Sequence, residues 1–506
     1  MKITLTEILS NTLKRNGPRT AVYFDDRAWT YSELDFASDA IASQLQKHGI
    51  RPGDRIALYL KNSWEYVVAD FAILKTGTVK VPLNEYQSAQ DVLYILQDTE
   101  AKILITQRSL LARIDKSLIS SENTPLILRV EDESSEPVSV PHEDWASFAL
   151  EGIPDRVWPA PNDVAMITYT GGTTGKPKGV VQTQKSLAIN LMGHIVAGGL
   201  SHDDVMMLTT PLPHSAGYHM QACLLHGGKV LIKKGFTPEE FYKDVNEYGV
   251  TWTFLVPTMI YRLIDHAETF DINTTTLKTI VYGAAPMSTA RLEVAIRKFG
   301  RCFVQLFGQT ECPNYITVLS KEDHDNSALH ASCGRPAPMV IVRTSATDGK
   351  SSGEILVRAP YLLAEYYKNP QQTAEAVNAG WLKTGDIGFI NDEGYLFLQD
   401  RAKDIIISGG LNVYSNEVEQ VLKKHEAVVD AAVIGLPHPD WGESVTAVVV
   451  CRHAVEEEEL ILHCRNELSK YKIPKAIYFR NSLPLTPYNK VDKKALRLEH
   501  EPGSVE

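Results

Sequence analysis

Apolar positions along the first eighty residues switch between two periods. Leu34, Phe36, Ile41, Ala42 and Leu45 recur at helical spacing after Ser32 and stop at Gly49, which predicts an amphipathic helix with Ser32 as its N-cap. Arg55 to Leu60 is a short apolar run of strand type, Trp64 to Lys75 returns to helical spacing, Gly77 breaks it, and Val79 to Pro82 predicts the next strand. The rhythm resumes with a strand at Trp252–Val256, a helix at Pro257–His266, a strand at Thr279–Tyr282, a helix at Ser288–Phe299 and a strand at Cys302–Phe307. Such alternation predicts an α/β fold with a mainly parallel sheet covered by helices.

The amino-terminal stretch Met1 to Gly17 reads as an ordinary amphipathic helix, because it lacks the apolar core and small-residue cleavage site of a signal peptide. The longest uncharged stretch, Val205 to Gly228, contains Pro211, Pro213, His214, His219 and His226, which argue against a single bilayer-spanning helix. Gly503 to Glu506 matches neither a prenylation box nor a peroxisomal address, so the expected setting is cytoplasmic. The acidic, proline-containing segment Glu131 to Glu143 predicts a solvated loop at a sub-domain border. After Gly394 a short strand, Tyr395 to Leu398, runs into Asp400–Asp404, and the remaining chain is long enough for a small separate domain. Glu456 to Glu459 predicts an exposed helix start, where negative charge suits the dipole.

With 506 residues, 44% apolar and 22% charged, the chain can bury a substantial core. Lysine and arginine number 51 against 62 aspartates and glutamates, and the net charge of −11 gives no general attraction for phosphate backbones, which excludes nucleic acid as a partner. The six cysteines form no CxxC pair and read as reduced structural thiols.

The most informative stretch is Tyr169-Thr-Gly-Gly-Thr-Thr-Gly-Lys-Pro-Lys-Gly179, after an apolar strand at Ala165–Thr168 and before a helical pattern from Ser186. Glycines admit backbone N–H groups close to a polyphosphate, hydroxyls add donors and Lys178 adds charge, so the loop is expected to grip phosphates through Thr170, Gly171, Gly172, Thr173, Thr174, Gly175 and Lys178. It is not a Walker A loop, since Thr170 and Pro177 stand where glycine and a hydroxyl residue would be needed. Taken alone, such a loop has a lesser alternative, a plain strand-to-helix turn.

Further motifs supply the context: Trp29-Thr-Tyr-Ser-Glu-Leu34, Gly283-Ala-Ala-Pro-Met287, Phe307-Gly-Gln-Thr-Glu311, Gly334-Arg-Pro336, Thr384-Gly-Asp386, Asp400-Arg-Ala-Lys-Asp404, Ser408-Gly-Gly410 and Pro487-Tyr-Asn-Lys-Val491. In this order, and over nearly the full length, the chain resembles the adenylate-forming superfamily of acyl-CoA and aryl-CoA synthetases, stand-alone adenylation enzymes and firefly luciferase. The resemblance implies a large amino-terminal domain of mixed and parallel sheets with helices, residues 1–401, and a small mobile α+β carboxyl-terminal domain, residues 402–506. It also implies ATP, Mg²⁺ and CoA as reaction partners.

The implied chemistry is carboxylate attack on the α-phosphorus of ATP, then thiol attack on the acyl-adenylate. Two anions must meet, so positioned cations and donors carry the catalysis. By resemblance Lys490 bridges the substrate carboxylate and an α-phosphate oxygen; without the motif it would read as one more solvated lysine beside Lys493 and Lys494. Glu311 is the implied magnesium ligand, as Mg²⁺ takes one or two carboxylates plus phosphate oxygens, and Thr310 would add a hydroxyl to the α-phosphate. Phe307, where relatives usually have tyrosine, and Gly308 would line adenine on one side, with Gly283, Ala284 and Ala285 as the other wall. Asp386 would accept from the ribose hydroxyls and Arg401 would contact the ribose, while Lys403 would be the hinge about which the small domain turns. Gly409 and Gly410 would line the pantetheine tunnel. Departures from the family pattern are Gly171 for serine, Asn489 for glycine, Ser415 for proline and Glu365 for glycine, none of which removes an essential charge.

The stretch Pro211-Leu-Pro-His-Ser-Ala-Gly-Tyr218 precedes the acid pocket and lacks the aspartate that relatives use to hold an α-ammonium group. A buried ammonium without a counter-charge is costly, so the expected substrate is a hydrophobic acid, aromatic or medium-chain, with no α-amino group. His214 and Gly283 would border its pocket. Trp441, Tyr471 and Lys475 match CoA contacts of aryl-CoA ligases, although Ile473, with Lys472 beside it, replaces one basic residue of that cluster. The alternative acceptor is a separate carrier protein. A luciferase-like oxygenase would share the first step, whereas a non-catalytic nucleotide-binding relative would not need Lys490, Glu311 and Asp386 together with the full loop.

Overall fold

The computed structural model describes residues 3–119, 124–148, 152–170, 177–266, 274–346, 352–486 and 491–500. Helix Tyr31–Lys47 starts earlier than predicted: Thr30, not Ser32, accepts from the Glu33 amide, and Glu33 accepts in return from the Thr30 amide at 2.7 Å. Only Thr30 has a glutamate three positions on to complete the reciprocal pair; the equivalent residue for Ser32, Asp35, pairs instead with Lys75. The other predicted elements appear with small shifts: Arg55–Tyr59, Trp64–Thr76, Val79–Leu83, Trp252–Leu255, Pro257–His266, Thr279–Tyr282, Thr289–Phe299 and Phe303–Gln309. Gly77 closes its helix at φ 67°, a left-handed conformation that glycine adopts without strain. Ser288 proves to be the N-cap of Thr289–Phe299, and Glu456 that of Glu457–Glu467.

Among the described residues the strands form four sheets. Two are parallel in the middle, one with antiparallel strands at both ends, running through Val205–Leu208, Lys229–Ile232, Trp252–Leu255, Thr279–Tyr282 and Phe303–Gln309, the other with antiparallel strands at one end, running through Arg55–Tyr59, Val79–Leu83, Ile103–Gln107 and Val164–Thr170. Side chains alternate between faces along a strand. Accordingly Met206, Leu208, Trp252 and Phe254 join Ile56, Leu58, Ile103 and Ile105 in one core between the two sheets, together with helices Tyr31–Lys47, Trp64–Thr76 and Gln184–Ala197. Met207 and Leu255 face a second core under helices Pro238–Tyr248, Pro257–His266 and Thr289–Phe299, and Ala57 and Tyr59 a third under Ala89–Thr99. A third, antiparallel sheet holds Gly353–Arg358, Trp381–Ile390 and Leu396–Arg401; the fourth, built on Ile406–Ser408, Leu411–Val413, Val428–His438, Gly442–Cys451 and Ala476–Phe479, has its own core. The result is a mixed α/β chain with a large amino-terminal body and a smaller carboxyl-terminal one.

Two expectations need correction. Thr170 and Lys178 are cross-strand partners of an antiparallel pair, Val164–Thr170 with Lys178–Thr183, so the predicted phosphate loop joins strand to strand, and the expected helix follows from Gln184. The acidic segment after Glu131 connects two strands of one sheet, Leu126–Val130 and Glu143–Asp144, rather than two bodies. It is held down where Asp115 accepts from the Ser139 and Val140 amides at 3.0 and 2.7 Å.

The helix Trp64–Thr76 is buried on all sides, yet carries Asp70 and Lys75. Lys75 Nζ donates to Asp35 at 2.6 Å and lies 2.7 Å from Asp39; Asp70 accepts from Lys80 Nζ and Gln221 Nε2, each at 2.7 Å. Charges buried this deeply persist because they are paired. Cys223, Cys302, Cys312, Cys333 and Cys464 are buried free thiols and Cys451 is a half-buried one; burial pushes their pKa values up, which keeps them unreactive. No helix among the described residues is long and apolar enough to cross a membrane.

His194, on helix Gln184–Ala197, is wholly buried. Its Nδ1 lies 2.8 Å from the Asn190 carbonyl, to which it donates, and its Nε2 lies 2.8 Å from Asn314 Nδ2, from which it accepts. Both nitrogens of the neutral ring are satisfied, and a second proton would oppose the Asn314 amide. Burial pushes the pKa down to about 4, from an ordinary 6.5. Below pH 6.5 the unfolded chain takes up a proton that the folded chain refuses, so stability falls as the pH drops from 6.5 toward about 4. The expected loss is about 1.4 kcal/mol per pH unit for this histidine, read as a fall in urea midpoints that is shallower in His194→Gln; an unchanged slope in that variant would contradict the assignment.

Candidate active site

The hairpin formed by Phe303–Gln309 and Cys312–Leu319 turns in two residues, Thr310 and Glu311, with Gln309 opposite Cys312. Both turn residues are half-buried. Tyr366 Oη donates to Glu311 Oε1 at 2.7 Å, and burial together with the Glu311 carboxylate pushes this phenol's pKa up, so it remains the donor. Tyr366 is placed by the short strand Glu365–Tyr366, which pairs with Lys178–Thr183; Lys178 Nζ lies 5.8 Å from its ring centroid. One tyrosine thus links Lys178, at the base of the predicted phosphate loop, to the predicted metal ligand. Glu311 Oε2 makes no hydrogen bond among the described residues, and no group of three His, Cys, Asp or Glu side chains there could cage a metal. A single carboxylate with one oxygen available suits Mg²⁺, which otherwise keeps phosphate oxygens and waters.

On the other side of the turn, Gln309 Nε2 donates to the Thr384 carbonyl at 2.8 Å and to Asp386 Oδ2 at 2.6 Å. Asp386 is buried and stands opposite Arg401 across Trp381–Ile390 and Leu396–Arg401. Arg401 Nε lies 3.1 Å from Asp386 Oδ1, while the arginine side chain remains half-exposed. The carboxylate is therefore aimed by two partners and faces the end of the Phe307–Glu311 segment.

Gly283 follows strand Thr279–Tyr282; a Cβ there would sit 2.4 Å from the Leu306 carbonyl oxygen, so only glycine allows its chain to run this close to the Phe307 strand. Ala284, at φ 66°, and Ala285 are exposed beside it. A Cβ on Gly308 would lie 2.5 Å from the Asn314 oxygen, and Phe307 is half-buried. The predicted adenine walls, Gly283–Ala285 and Phe307–Gly308, are thus neighbours.

His214 stands near Asn84, Nε2 against Nδ2, and lines a small cavity with Tyr66, Lys80, Met166, Tyr218 and Gln221. Gly283, predicted for the same pocket, is not among that cavity's described walls.

The predicted CoA residues gather on the carboxyl-terminal body. Gly409 and Gly410, at φ 60° and 77°, form an exposed two-residue turn between Ile406–Ser408 and Leu411–Val413. Gly409 N donates to the Trp441 carbonyl at 2.8 Å, Lys475 Nζ lies 5.2 Å from the Trp441 ring centroid, and Tyr471 lies in the turn Lys470–Lys472, which packs against Leu411–Val413. Lys403 is exposed on the turn that leads from the third sheet to the fourth.

Gly171, Gly172, Thr173, Thr174, Gly175 and Lys490 lie outside the described residues. The flanks of both segments are paired: Thr170 with Lys178, and Leu485 with Val491 in an antiparallel bridge. Gln309 and Tyr366 were not assigned roles from the sequence. Gln309 belongs to the Phe307–Glu311 motif, but its partner is 77 positions away, and Tyr366 is 55 from Glu311; no local spacing reports such pairs.

The profile of the AMP-binding enzyme family matches residues 9–367, and that of the AMP-binding enzyme C-terminal domain matches residues 417–490. The chain belongs to the AMP-binding enzyme family. Lys178, Gln309, Glu311 and Tyr366 lie within the first matched span, and Asp386 and Arg401 between the two. Among relatives of this AMP-binding enzyme, the medium/long-chain-fatty-acid–CoA ligase FadD8 of Mycobacterium tuberculosis is 32% identical over 519 residues, spanning 98% of this chain and 90% of its own. Feruloyl-CoA synthase from an Amycolatopsis species is 32% identical over 490 residues, spanning 94% and 95%. The solved structure of the amide bond synthetase McbA from Marinactinospora thermotolerans superposes with a TM-score of 0.88 at 28% identity, covering 98% of this chain and all, 100%, of that one.

Proposed function

We propose that the chain is an ATP-dependent acid:CoA ligase acting on a hydrophobic carboxylic acid without an α-amino group. A carboxylate oxygen of the acid bonds to the α-phosphorus of ATP as the bond to pyrophosphate breaks. The CoA sulfur then bonds to the acyl carbon, AMP leaves and the thiol proton goes to solvent. The observation that carries this reading is the chain of contacts from Lys178 through Tyr366 to Glu311, and across the turn from Gln309 to Asp386 and Arg401. It supports a reading in which Lys178 would meet phosphate, Glu311 Mg²⁺ and Asp386 the ribose along one edge. Glu311 would hold Mg²⁺, which neutralises phosphate charge; Tyr366 orients that carboxylate; Thr170, Lys178 and the loop between them would bind the phosphates; Lys490 would bring the carboxylate and α-phosphate together.

The acid is read as lacking an α-amino group because the nearby buried carboxylate, Asp70, is already neutralised by Lys80. FadD8 and feruloyl-CoA synthase are named for an aliphatic and an aromatic acid, which supports a hydrophobic substrate of either kind. McbA is named for amide bond synthesis, so an amine is a second possible acceptor; the Gly409, Trp441, Tyr471 and Lys475 cluster favours CoA. In this reading the small domain, from residue 402, turns about Lys403 to present Lys490 first and Gly409–Gly410 second.

A panel of carboxylic acids is expected to give acid-dependent AMP, matched by thioester when CoA is present and slow without it. Turnover only with α-amino acids would refute the acid assignment. A higher rate with an amine or a phosphopantetheinyl carrier protein in place of CoA would refute the acceptor.

A further inference from the structure

The cavity beside His214 has room for about one water-sized group, but its walls are unusual for the end of a hydrophobic pocket. Tyr66 and Tyr218 both line it, and the Tyr66 phenol oxygen is buried without a hydrogen-bond partner among the described residues. The Tyr218 phenol is buried against the Thr168 hydroxyl, and neither has a further hydrogen-bond partner among the described residues. Lys80 lines the same space; among the described residues its ammonium donates one bond, to Asp70 Oδ1 at 2.7 Å. Gln221 Nε2 occupies the second Asp70 oxygen, also at 2.7 Å. The carboxylate is thus saturated from its own side, and the groups left without partners are hydroxyls and ammonium hydrogens. Burial, followed by the Asp70 charge for Tyr66, pushes both phenols' pKa values up, so each keeps its proton to donate.

Orphaned buried donors cost free energy, which a ligand oxygen can recover. The cavity also lies at a useful distance from the chemistry. Met166, on its wall, precedes Thr170 by four residues of one strand, about 13 Å at a strand's rise per residue. That is the reach of an aryl-substituted or medium-chain acid whose carboxylate sits at the phosphate loop.

Resting on the ligase reading above, the geometry points to a substrate whose far end carries one neutral oxygen, a hydroxyl or oxo group, received by Tyr66, Tyr218 and Lys80. A second carboxylate does not fit this role, because Asp70 already balances Lys80 and an added anion would be buried without a counter-charge. A plain hydrocarbon end would leave the donors unpaired. Sites that hydrogen-bond a substrate hydroxyl discriminate far more strongly than sites that only sense a methylene.

The test uses matched pairs: para-hydroxycinnamate against cinnamate, and ω-hydroxyoctanoate and ω-oxooctanoate against octanoate. For each acid two quantities are read on the full chain, binding by calorimetry and kcat/KM for CoA-dependent AMP formation. In at least one pair the oxygenated acid is expected to lead its hydrocarbon partner by about 100-fold, and Tyr66→Phe and Tyr218→Phe, which remove one oxygen each, are expected to cut that ratio about tenfold. Equal preference within every pair, or a ratio unmoved by both variants, overturns the inference while leaving the ligase reading in place if AMP forms; the cavity then holds only a structural water. A binding preference without AMP formation from any acid supports the inference and overturns the ligase reading. No binding of either member of any pair overturns the inference.

Discussion

Lys490→Ala is expected to lower acid-dependent exchange of pyrophosphate into ATP by about 10³-fold, the range seen when one group that stabilises transferring phosphoryl charge is removed. The reason is electrostatic. The acid and the triphosphate are both anions, and a cation touching both is worth most at the moment the new bond forms. Conversion of a preformed acyl-adenylate and CoA to thioester involves no such encounter, so it is expected to stay within a few-fold of the parent. The ratio of the two half-reactions is therefore the informative number. If Lys490→Ala exchanges pyrophosphate as fast as the parent, the proposed bridging role fails. If both half-reactions fall together, the residue acts through structure and not through charge at the α-phosphate.

Asp386→Ala is expected to reduce kcat/KM for ATP by about 10²-fold or more, since hydrogen bonds to a charged group are worth about 1.5–3 kcal/mol each and the ribose offers two hydroxyls. The fold is expected to tolerate the change. Arg401 is half-exposed and can pair with water, and Gln309 keeps its bond to the Thr384 carbonyl. The kinetic signature is a rise in KM for ATP with little change in KM for the acid, and ribose specificity provides the control: 2′-deoxy-ATP, already lacking one hydroxyl, should discriminate less between parent and variant than ATP does. An equal loss with both nucleotides would place Asp386 among the supports of the fold instead of at the ribose.

The alternation of strand and helix was legible in the chain because it depends on neighbours. Each element must bury its own apolar face, and Trp64–Thr76 or Thr279–Tyr282 could be bounded within a residue or two from spacing and glycine breaks alone. The roles proposed for Glu311, Asp386 and Lys490 rest instead on the resemblance of their motifs, since local spacing alone reads Lys490 as a solvated lysine. Errors arose where two local signals competed. Ser32 and Thr30 are both capping residues, and the choice depended on Asp35 being drawn to Lys75, 40 positions away. The flanks of the predicted phosphate loop form an antiparallel pair because Lys178–Thr183 returns onto Val164–Thr170, a strand that runs directly into the helix from Gln184 with no break to mark it.

What the chain's order of residues determined, then, was the set of groups available: a glycine and threonine loop, a glutamate after Gly308-Gln-Thr310, a late lysine, and an overall α/β rhythm. Tertiary structure alone decided which of these groups aim one another. Tyr366 reaches Glu311, Gln309 and Arg401 hold Asp386, and Tyr66, Lys80 and Tyr218 converge on one cavity although they come from three separate elements. Local periodicity reports only what lies within a few residues, whereas the direction of a buried polar group is set by partners that the folding of two sheets around a common layer of helices brings into hydrogen-bonding range.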